Sequence, residues 1–488
     1  MQPSAVDVVV LGGGPAGSAA ARLLATWGHS VALVARPPRQ ASLAESLPPS
    51  CTKLFEQIGI QHLIDDAGFL RASGNTVCWA NGEPRVEHFA AGVAGYQVAR
   101  DAFDALLLAA ARTTGVTIHE AIVRGVARDG DVWRVSTDSA ADLRARWVFD
   151  ATGRTGVLAR RGLRRSESGG RTFAVVGVWE RDDGWPVDDE THTLVESYSG
   201  GWAWSVPVSA TRRFVTVMLD PAVTELPGRS RLAAAYGAEL ANTMMLRRLV
   251  DGARLVADPW GCDASPYTAT RAFDDQSVLV GDAASFVDPL SSFGVKKALA
   301  SAWLGSVAVH TALTDAAMTT PALELFAERE RVMYDHLQRQ SASLSQQAAG
   351  AHAGDFWSAR ADISPGHAVD ELDVAELRAD PRVLAAFEEL KRLPSVTLRT
   401  NESVRLVARA SVRGHRIVLE DHLAAPATPR GVRYCRNVDL VVISRLAHRY
   451  EQVPDLYDAY NRAASPAPLP DFLGALSAMI GLELLSFA

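Results

Sequence analysis

A chain of 488 residues is long enough for two or three domains, each with its own buried core. With 48% hydrophobic and 22% charged residues it is neither disordered nor fibrous. A net charge of −7 argues against a general nucleic-acid binder. Cys51, Cys78, Cys262 and Cys435 are scattered without a C-x-x-C pair, which predicts neither a disulfide framework nor a metal site and suits a reducing cytoplasm. The chain enters a strand pattern almost at once, leaving no room for a secretion signal. No run of about 18 apolar residues predicts a membrane span. Arginine dominates the cations: Lys53, Lys296, Lys297 and Lys391 are the only lysines.

In chain order, Val8–Leu11 reads as a strand, Gly12 to Gly17 as a turn and residues 17–27 as a helix. Gly12, Gly14 and Gly17 have G-x-G-x-x-G spacing. Gly12 permits the tight turn, Gly14 lets a pyrophosphate approach the backbone, and Gly17 lets the helix pack closely on the strand. Pro15 and Ala16 open that helix, whose N-terminus faces the anion. Val31–Val34 predicts a second parallel strand. The acidic residue expected at its end is absent: Ala35 and Arg36 stand there, so ribose recognition must differ or come from elsewhere. A Pro/Ser-rich loop over 37–50 carries Glu45 and Ser46, and a helix follows from Cys51 to Ile58. Residues 96–104 lead a helix through Arg112, with Phe103, Leu106, Leu107 and Ala110 at helical spacing. Residues 121–149 alternate as a small meander.

Asp150-Ala151-Thr152-Gly153 is a strand end and a tight turn, and Ser277 to Ala284, with Gly281-Asp282, repeats that logic. The run Asp288 to Val295 opens a helix over 296–313, where amides at Gly294 and after it would face a partly negative ring or phosphate. Between these motifs, residues 171–260 alternate as strands of a mostly antiparallel sheet inserted into the nucleotide fold. Residues 320–350 read as helix and 351–370 as a linker.

Gly12/Gly14/Gly17, Arg100, Asp150-Ala151-Thr152-Gly153 and Gly281-Asp282 stand in an order that resembles the FAD-containing group A flavoprotein monooxygenases and their halogenase relatives, over residues 5–345. The resemblance implies an α/β fold. A discontinuous Rossmann-like FAD domain would cover 1–170 and 261–350, an antiparallel-sheet substrate domain 171–260, and a small winged-helix-like C-terminal domain 371–488. It also implies that Gly12, Gly14, Pro15, Ala16 and Gly17 hold the FAD pyrophosphate. Arg100 would meet the adenosine–phosphate region and Asp282 the ribityl hydroxyls, with Gly294 and Val295 at the pyrimidine edge. Arg36, Glu45, Ser46, Asp150 and Gly281 complete the candidate cofactor-binding set.

Gly201-Trp202-Ala203-Trp204-Ser205-Val206-Pro207 resembles the W-x-W-x-I-P motif of flavin-dependent halogenases, with Val206 in the isoleucine position. This makes Trp202 and Trp204 the candidate catalytic residues, beside a tunnel from flavin to substrate. Two tryptophans packed as core on one strand face fit the same spacing. Such halogenases also resemble one another in a lysine that relays the oxidised halogen, in a Gly-Phe-x-x-Lys segment in phenol- and pyrrole-type relatives. The matching segment here is Gly68-Phe69-Leu70-Arg71-Ala72, with Ala72 in place of the lysine. Arg71 is always charged and poorly suited to forming a haloamine, and Lys53 lies one helix too early. The departure favours hydroxylation of an electron-rich aromatic ring through a flavin hydroperoxide, the protein orienting the ring and excluding water. His62, His88, His119 and His192 are candidate bases.

The C-terminal extension reads as helices over 439–446, 453–460 and 470–480, then a strand-like 482–487. This resembles a winged helix without a basic recognition helix, so a peptide-binding module and a lid or dimerisation element both stay open. A lysine-less halogenase-like core with an added module resembles the flavoprotein hydroxylases of tryptophylquinone biogenesis, which act on a tryptophan of a protein subunit. The partners implied are an aromatic substrate, on a protein or peptide in that case, O2, and NAD(P)H or a partner flavin reductase as electron source. Alternatives are a halogenase with an unusual relay residue, a geranylgeranyl-reductase-like flavin reductase, and a catalytically idle FAD-binding protein.

Overall fold

The computed structural model describes residues 5–37, 43–80, 82–139, 142–166, 170–222, 232–291, 293–361, 377, 379–393 and 395–487. The chain divides into two compact units, Met1–Thr314 with Phe326–His367, and Asp315–Leu325 with Ala368–Ala488. Among the described residues no helix is long and apolar enough to cross a membrane.

The first unit is built on a sheet whose parallel centre runs Thr117–Glu120, Val31–Ala35, Val6–Leu11, Leu143–Asp150, Ser277–Leu279. Val8 to Leu11 are fully buried, as expected of a strand covered on both faces. The hairpin Val123–Asp129 and Val132–Thr137 joins this sheet through Leu143–Asp150. Helix Pro15–Thr26 packs against helices Arg100–Arg112 and Gly294–Thr314.

A second sheet runs Arg254–Leu255, Phe173–Glu180, Arg212–Leu219, Gly201–Pro207, Thr193–Tyr198, Gly74–Cys78, Pro84–His88. The inserted segment forms its antiparallel centre. Its far edge comes from strands 74–78 and 84–88, much earlier in the chain, with Gly74–Cys78 parallel to Thr193–Tyr198. Alternation along the strands sorts the two faces. Ala203, Val215 and Val217 pack with Tyr236, Leu240 and Leu246 of helices Leu232–Ala241 and Met245–Val250. Trp202 and Met218 pack on the opposite face.

Residues 320–350 lie within one helix, Thr319–Ala351. The linker expectation for 351–370 is corrected over its described part: Asp355–Ala361 is a helix in which Phe356 and Trp357 are buried. Two adjacent large aromatics have too much apolar surface to be left in a solvated connection. Residues 362–370 lie outside the described residues.

In the second unit, helix Pro381–Arg392, a three-stranded sheet over 405–432 and helices Leu440–Ala447, Val453–Ala463 and Leu469–Gly481 share a core that includes Ile443, Phe472 and Met479. Strand Leu485–Phe487 pairs antiparallel with Leu398–Thr400. Asp439 caps the first of the three late helices by accepting from the amides of Val441 and Val442 at 3.0 and 3.2 Å.

Candidate functional site

Register brings the sequence motifs to one edge of the parallel sheet. Leu11 pairs with Val34 on one side and Asp150 on the other, and Asp150 pairs with Leu279. The turns leaving these strands therefore emerge side by side at the carboxyl ends, where parallel sheets bind ligands. Gly12 has φ +105°, and a Cβ there would sit 2.3 Å from the Ala151 carbonyl oxygen. A Cβ on Gly17 would sit 1.9 Å from the Gly12 oxygen. Beside Gly14, by contrast, the nearest atom is Asp104 Oδ2 at 4.0 Å. Pro15 occupies the start of the helix, and no side chain caps it. The cradle is thus closed behind by Gly12 and Gly17 and open in front of Gly14, with first-turn amides lacking a side-chain acceptor. That geometry fits a pyrophosphate.

Two aspartates, Asp150 at a strand end and Asp282 in the turn after the next strand, flank the cradle and behave differently. Asp150 is fully buried. Its Oδ1 accepts from the Thr152 amide and hydroxyl at 3.1 and 2.6 Å, and its Oδ2 from the Leu158 and Ala159 amides at 2.7 and 3.2 Å. The carboxylate is engaged by its own turn and shapes the loop beneath Gly12. The Asp282 side chain remains 34% exposed, with Oδ1 3.5 Å from Lys297 Nζ. Gly281 precedes it at φ +60°, and its amide donates to Ser301 Oγ at 2.9 Å.

Arg100 opens helix Arg100–Arg112 and forks onto Asp104, with Nε–Oδ1 at 3.0 Å and Nη2–Oδ2 at 3.1 Å. Its Nη1 reaches Glu45 Oε1 at 3.3 Å. Strand Ala44–Leu47 carries Glu45 and pairs with Gly95–Ala99, which leads directly into that helix. Burial raises the Glu45 carboxyl pKa; Arg100 opposes the rise and Asp282 adds to it, so Glu45, Arg100 and Asp282 feel one another across the same space. Burial also works against the Arg100 charge, but Asp104 and Glu45 outweigh it and raise its pKa. Ser46 is buried opposite Gln97 in the short sheet, and Arg36 stands exposed past the second strand. The helix expected from 296 begins at Gly294, which is exposed, while Val295 is buried.

The tryptophans of the second sheet stack on one face, Trp202 on Trp204, with ring centroids 4.7 Å apart. Trp202 is 2% exposed and Trp204 is half-buried. Around them lie Trp79, Phe286, Leu290, Phe356 and Trp357. Trp357 meets Trp79 edge-on at 5.3 Å and anchors its Nε1–H on the Tyr198 carbonyl at 2.7 Å. Motif reading missed this wall, because its members come from four separate segments. The density of aromatics at 356–357 was the available signal. Titratable groups adjoin it, His352 and Asp288 among them. His352 stacks on Trp357 and bonds Ser197 Oγ at 2.9 Å, with burial holding its pKa below the ordinary value. Asp288, two residues before Leu290, is pushed up to about 6 by burial, with Arg360 opposing.

The candidate histidines are not part of this wall. His62 and His88 are exposed, His119 lies on the edge strand Thr117–Glu120, and the His192 Nδ1 is bonded to Thr76 Oγ1 at 3.0 Å. Ala72 is 1% exposed within its strand. Arg71 beside it is tied to Asp65 at 3.1 Å and covers the Tyr96 ring. Lys53 is exposed on helix Thr52–Ile58.

A glycine cradle on a parallel sheet, in one fold with an aromatic-lined second sheet, fits a flavoprotein of the monooxygenase and halogenase type. The chain belongs to the tryptophan halogenase family, whose profile matches residues 80–397, and that family is one of FAD-dependent oxidoreductases. It is 28% identical over 347 residues to tryptophan 2-halogenase of Chondromyces crocatus. That alignment covers 66% of this chain and 65% of the relative, so the chain spans just under two thirds of the relative's length. Among solved structures, the flavin-dependent halogenase CmlS superposes with a TM-score of 0.78 at 23% identity, covering 99% of this chain and 96% of that one. The peptidyl tryptophan dihydroxylase QhpG superposes with a TM-score of 0.69 at 24% identity, covering 95% and 96%. These two likenesses establish the fold.

Proposed function

We propose that this protein is an FAD-dependent monooxygenase that hydroxylates an electron-rich aromatic ring. The observation that carries the reading is the fate of the four lysines. Ala72 replaces the relay lysine, Lys53 is exposed on its helix, and Lys391 pairs with Glu388 at 2.7 Å. Lys296 donates to Ser50 Oγ at 2.9 Å, and the buried Lys297 amine is committed to Gly281, Ser285 and Asp282. A haloamine relay needs a neutral, accessible amine, and neither condition suits an ammonium held by two carbonyls and a carboxylate.

In this reading FAD is held by residues of 1–170 and 261–350: the Gly12–Gly17 turn, Arg100 with Glu45, Asp282, and the helix start at Gly294 and Val295. When bound and reduced, FAD supplies an electrophilic oxygen from O2. The protein contributes position and dryness. Trp202 and Trp204 wall the reaction space, Trp79 and Trp357 keep water out, and the ring is held where the oxygen arrives. Asp288 and the His352 imidazole are the groups near the wall able to take up the ring proton near neutral pH. The substrate sheet is that of 171–260 extended by the strands of 74–88. A tryptophan on a protein or peptide is the sharpest substrate candidate, supported by the likeness to a peptidyl tryptophan dihydroxylase. We place the enzyme in the cytoplasm, with electrons from NAD(P)H or a partner flavin reductase; NAD(P)H consumption by the isolated protein distinguishes the two.

The family match favours a second reading, halogenation by another relay. Halide dependence separates them. Phenols, indoles and tryptophan-containing peptides are incubated with reduced FAD and O2, with and without bromide. Product without halide is expected; turnover only with halide overturns the hydroxylase reading.

A further inference from the structure

Lys297 lies on the first turn of helix Gly294–Thr314 and is 5% exposed. Its Nζ lies 3.3 Å from the Gly281 carbonyl oxygen, 3.3 Å from Ser285 Oγ and 3.5 Å from Asp282 Oδ1, and it also donates to the Ser285 carbonyl. One helical turn on, Ser301 Oγ accepts from the Gly281 amide at 2.9 Å. Glu330, on helix Thr319–Ala351, faces the same pair: Ser301 hydrogen-bonds its carboxyl and Lys297 attracts it. Lys297 and Ser301 thus grip the 281–285 turn from behind, at its amide, its carbonyls and its one ionised side chain.

Burying an ammonium group carries a desolvation penalty that good geometry must offset. Two carbonyls and a hydroxyl alone could be satisfied by a neutral polar side chain. What requires a positive charge is the carboxylate. Asp282 also sits in an acidic neighbourhood, since Glu45 and Asp104 border the same space. Arg100 offsets part of this charge from the front; without Lys297 behind the turn, the repulsion of Asp282 against these carboxyls and an incoming diphosphate would be met by Arg100 alone among these groups.

We propose that Lys297 is a positioning residue for the cofactor: its ion pair holds the Asp282 carboxylate in place, aimed out of the turn, and thereby sets the affinity for FAD. The proposal rests on the reading of Asp282 as a cofactor contact. Lys297 itself need not touch the cofactor, because its reach is spent behind the turn. Arginine can preserve the charge there, whereas methionine keeps the bulk and removes it.

The test is a double-mutant cycle on FAD affinity, read by quenching of flavin fluorescence as the apoprotein is titrated, with no turnover needed. Lys297→Met and Asp282→Asn should each weaken binding roughly 10–100-fold, the size expected for a charge-assisted contact. The double variant should bind no worse than Asp282→Asn alone, because both changes remove one interaction. Lys297→Arg should recover part of the loss, and its own cycle with Asp282→Asn serves if the methionine variant does not fold. Additive losses, or unchanged binding in the Lys297 variants, overturn the proposal. If the wild type does not bind FAD, or Asp282→Asn binds as tightly as wild type, the failure lies with the reading of Asp282 instead.

Discussion

The turns after Phe149 and Val280 are near-copies in the sequence: a short apolar strand, an aspartate, small residues. Asp150 ends its strand and Asp282 lies three residues past the end of the neighbouring parallel strand Ser277–Leu279, and their carboxylates have opposite fates. Asp150 is fully buried and accepts four hydrogen bonds from its own loop. Asp282 keeps a third of its side chain exposed and is held by one buried cation. The difference lies in the path of the chain beyond each aspartate. After Asp150 the chain coils back and offers the amides of Leu158 and Ala159 at close range. After Asp282 it runs out through Ser285 and Phe286, whose strand pairs with Tyr267–Ala269. The first carboxylate is thus taken up by donors its own loop returns, and the second, whose loop returns none among the described residues, is left partly exposed.

The sharpest breaks of this contrast come from substitutions that damage framework and spare front, or the reverse. Gly17→Ala should have the largest effect. Its Cβ would lie 1.9 Å from a backbone oxygen, so the helix must part from the strand, and thermal denaturation should find little cooperative unfolding. Gly14→Ala meets only open space, so the melting temperature should hold while FAD affinity falls at least ~10-fold. Next is Asp150→Ala. Leaving several buried donors unpaired, at about 1–3 kcal/mol each, should remove roughly 3–5 kcal/mol by denaturant titration. Asp282→Asn removes one partner of the buried Lys297 amine but leaves its carbonyl and hydroxyl contacts, so it should cost less, about 1–2 kcal/mol in the same titration. If Asp282→Asn unfolds as readily as Asp150→Ala, the contrast is wrong.

In the second sheet the same logic separates its two tryptophans. Trp202→Ala empties a fully buried site and should cost about 3–5 kcal/mol. Trp204→Phe keeps a ring on a half-buried site and should cost under ~1.5 kcal/mol while changing substrate preference, checked by unfolding and by competition between substrates.

The smallest expected effect is a pH dependence. Burial pushes Glu330 from its ordinary 4.5 to about 7, with Lys297 and Ser301 opposing. A carboxyl with a raised pKa in the fold binds its proton better folded than unfolded. Its contribution is complete below the ordinary value and is lost as pH rises through about 7. Glu330→Gln does not titrate, so the melting temperature of wild type relative to this variant should fall by about 2–4 °C between pH 5 and 8. A constant difference would show that Glu330 is not protonated in the fold.

Much of the framework is legible in the sequence because its signals are local. The glycine spacing, the apolar strands and the alternation over 173–219 depend on neighbours a few residues apart and stand where that spacing puts them, whereas helices Leu232–Ala241 and Met245–Val250 correct the strand reading over those stretches of 171–260. The role of Asp150 is not legible, because a carboxylate's partners are decided by loop return, which the residue's own neighbourhood does not encode. The aromatic wall is hidden for a related reason. Trp79, Trp202, Phe286 and Trp357 meet only through tertiary packing, and Trp357 lies in a stretch whose sequence reads as a linker. Strands 74–78 and 84–88 are likewise hidden, since their place at the edge of the second sheet rests on a parallel pairing with a strand far along the chain, at Thr193–Tyr198.

The central claim is that a halogenase-type chamber lacking its relay lysine delivers oxygen to the substrate ring. The most direct measurement reconstitutes the protein with FAD, reduces it, and admits isotopically labelled O2 in saturating bromide with an aromatic substrate. Mass spectrometry of the product should find oxygen from labelled O2 and no bromine. A bromine isotope doublet without the oxygen label would contradict the account.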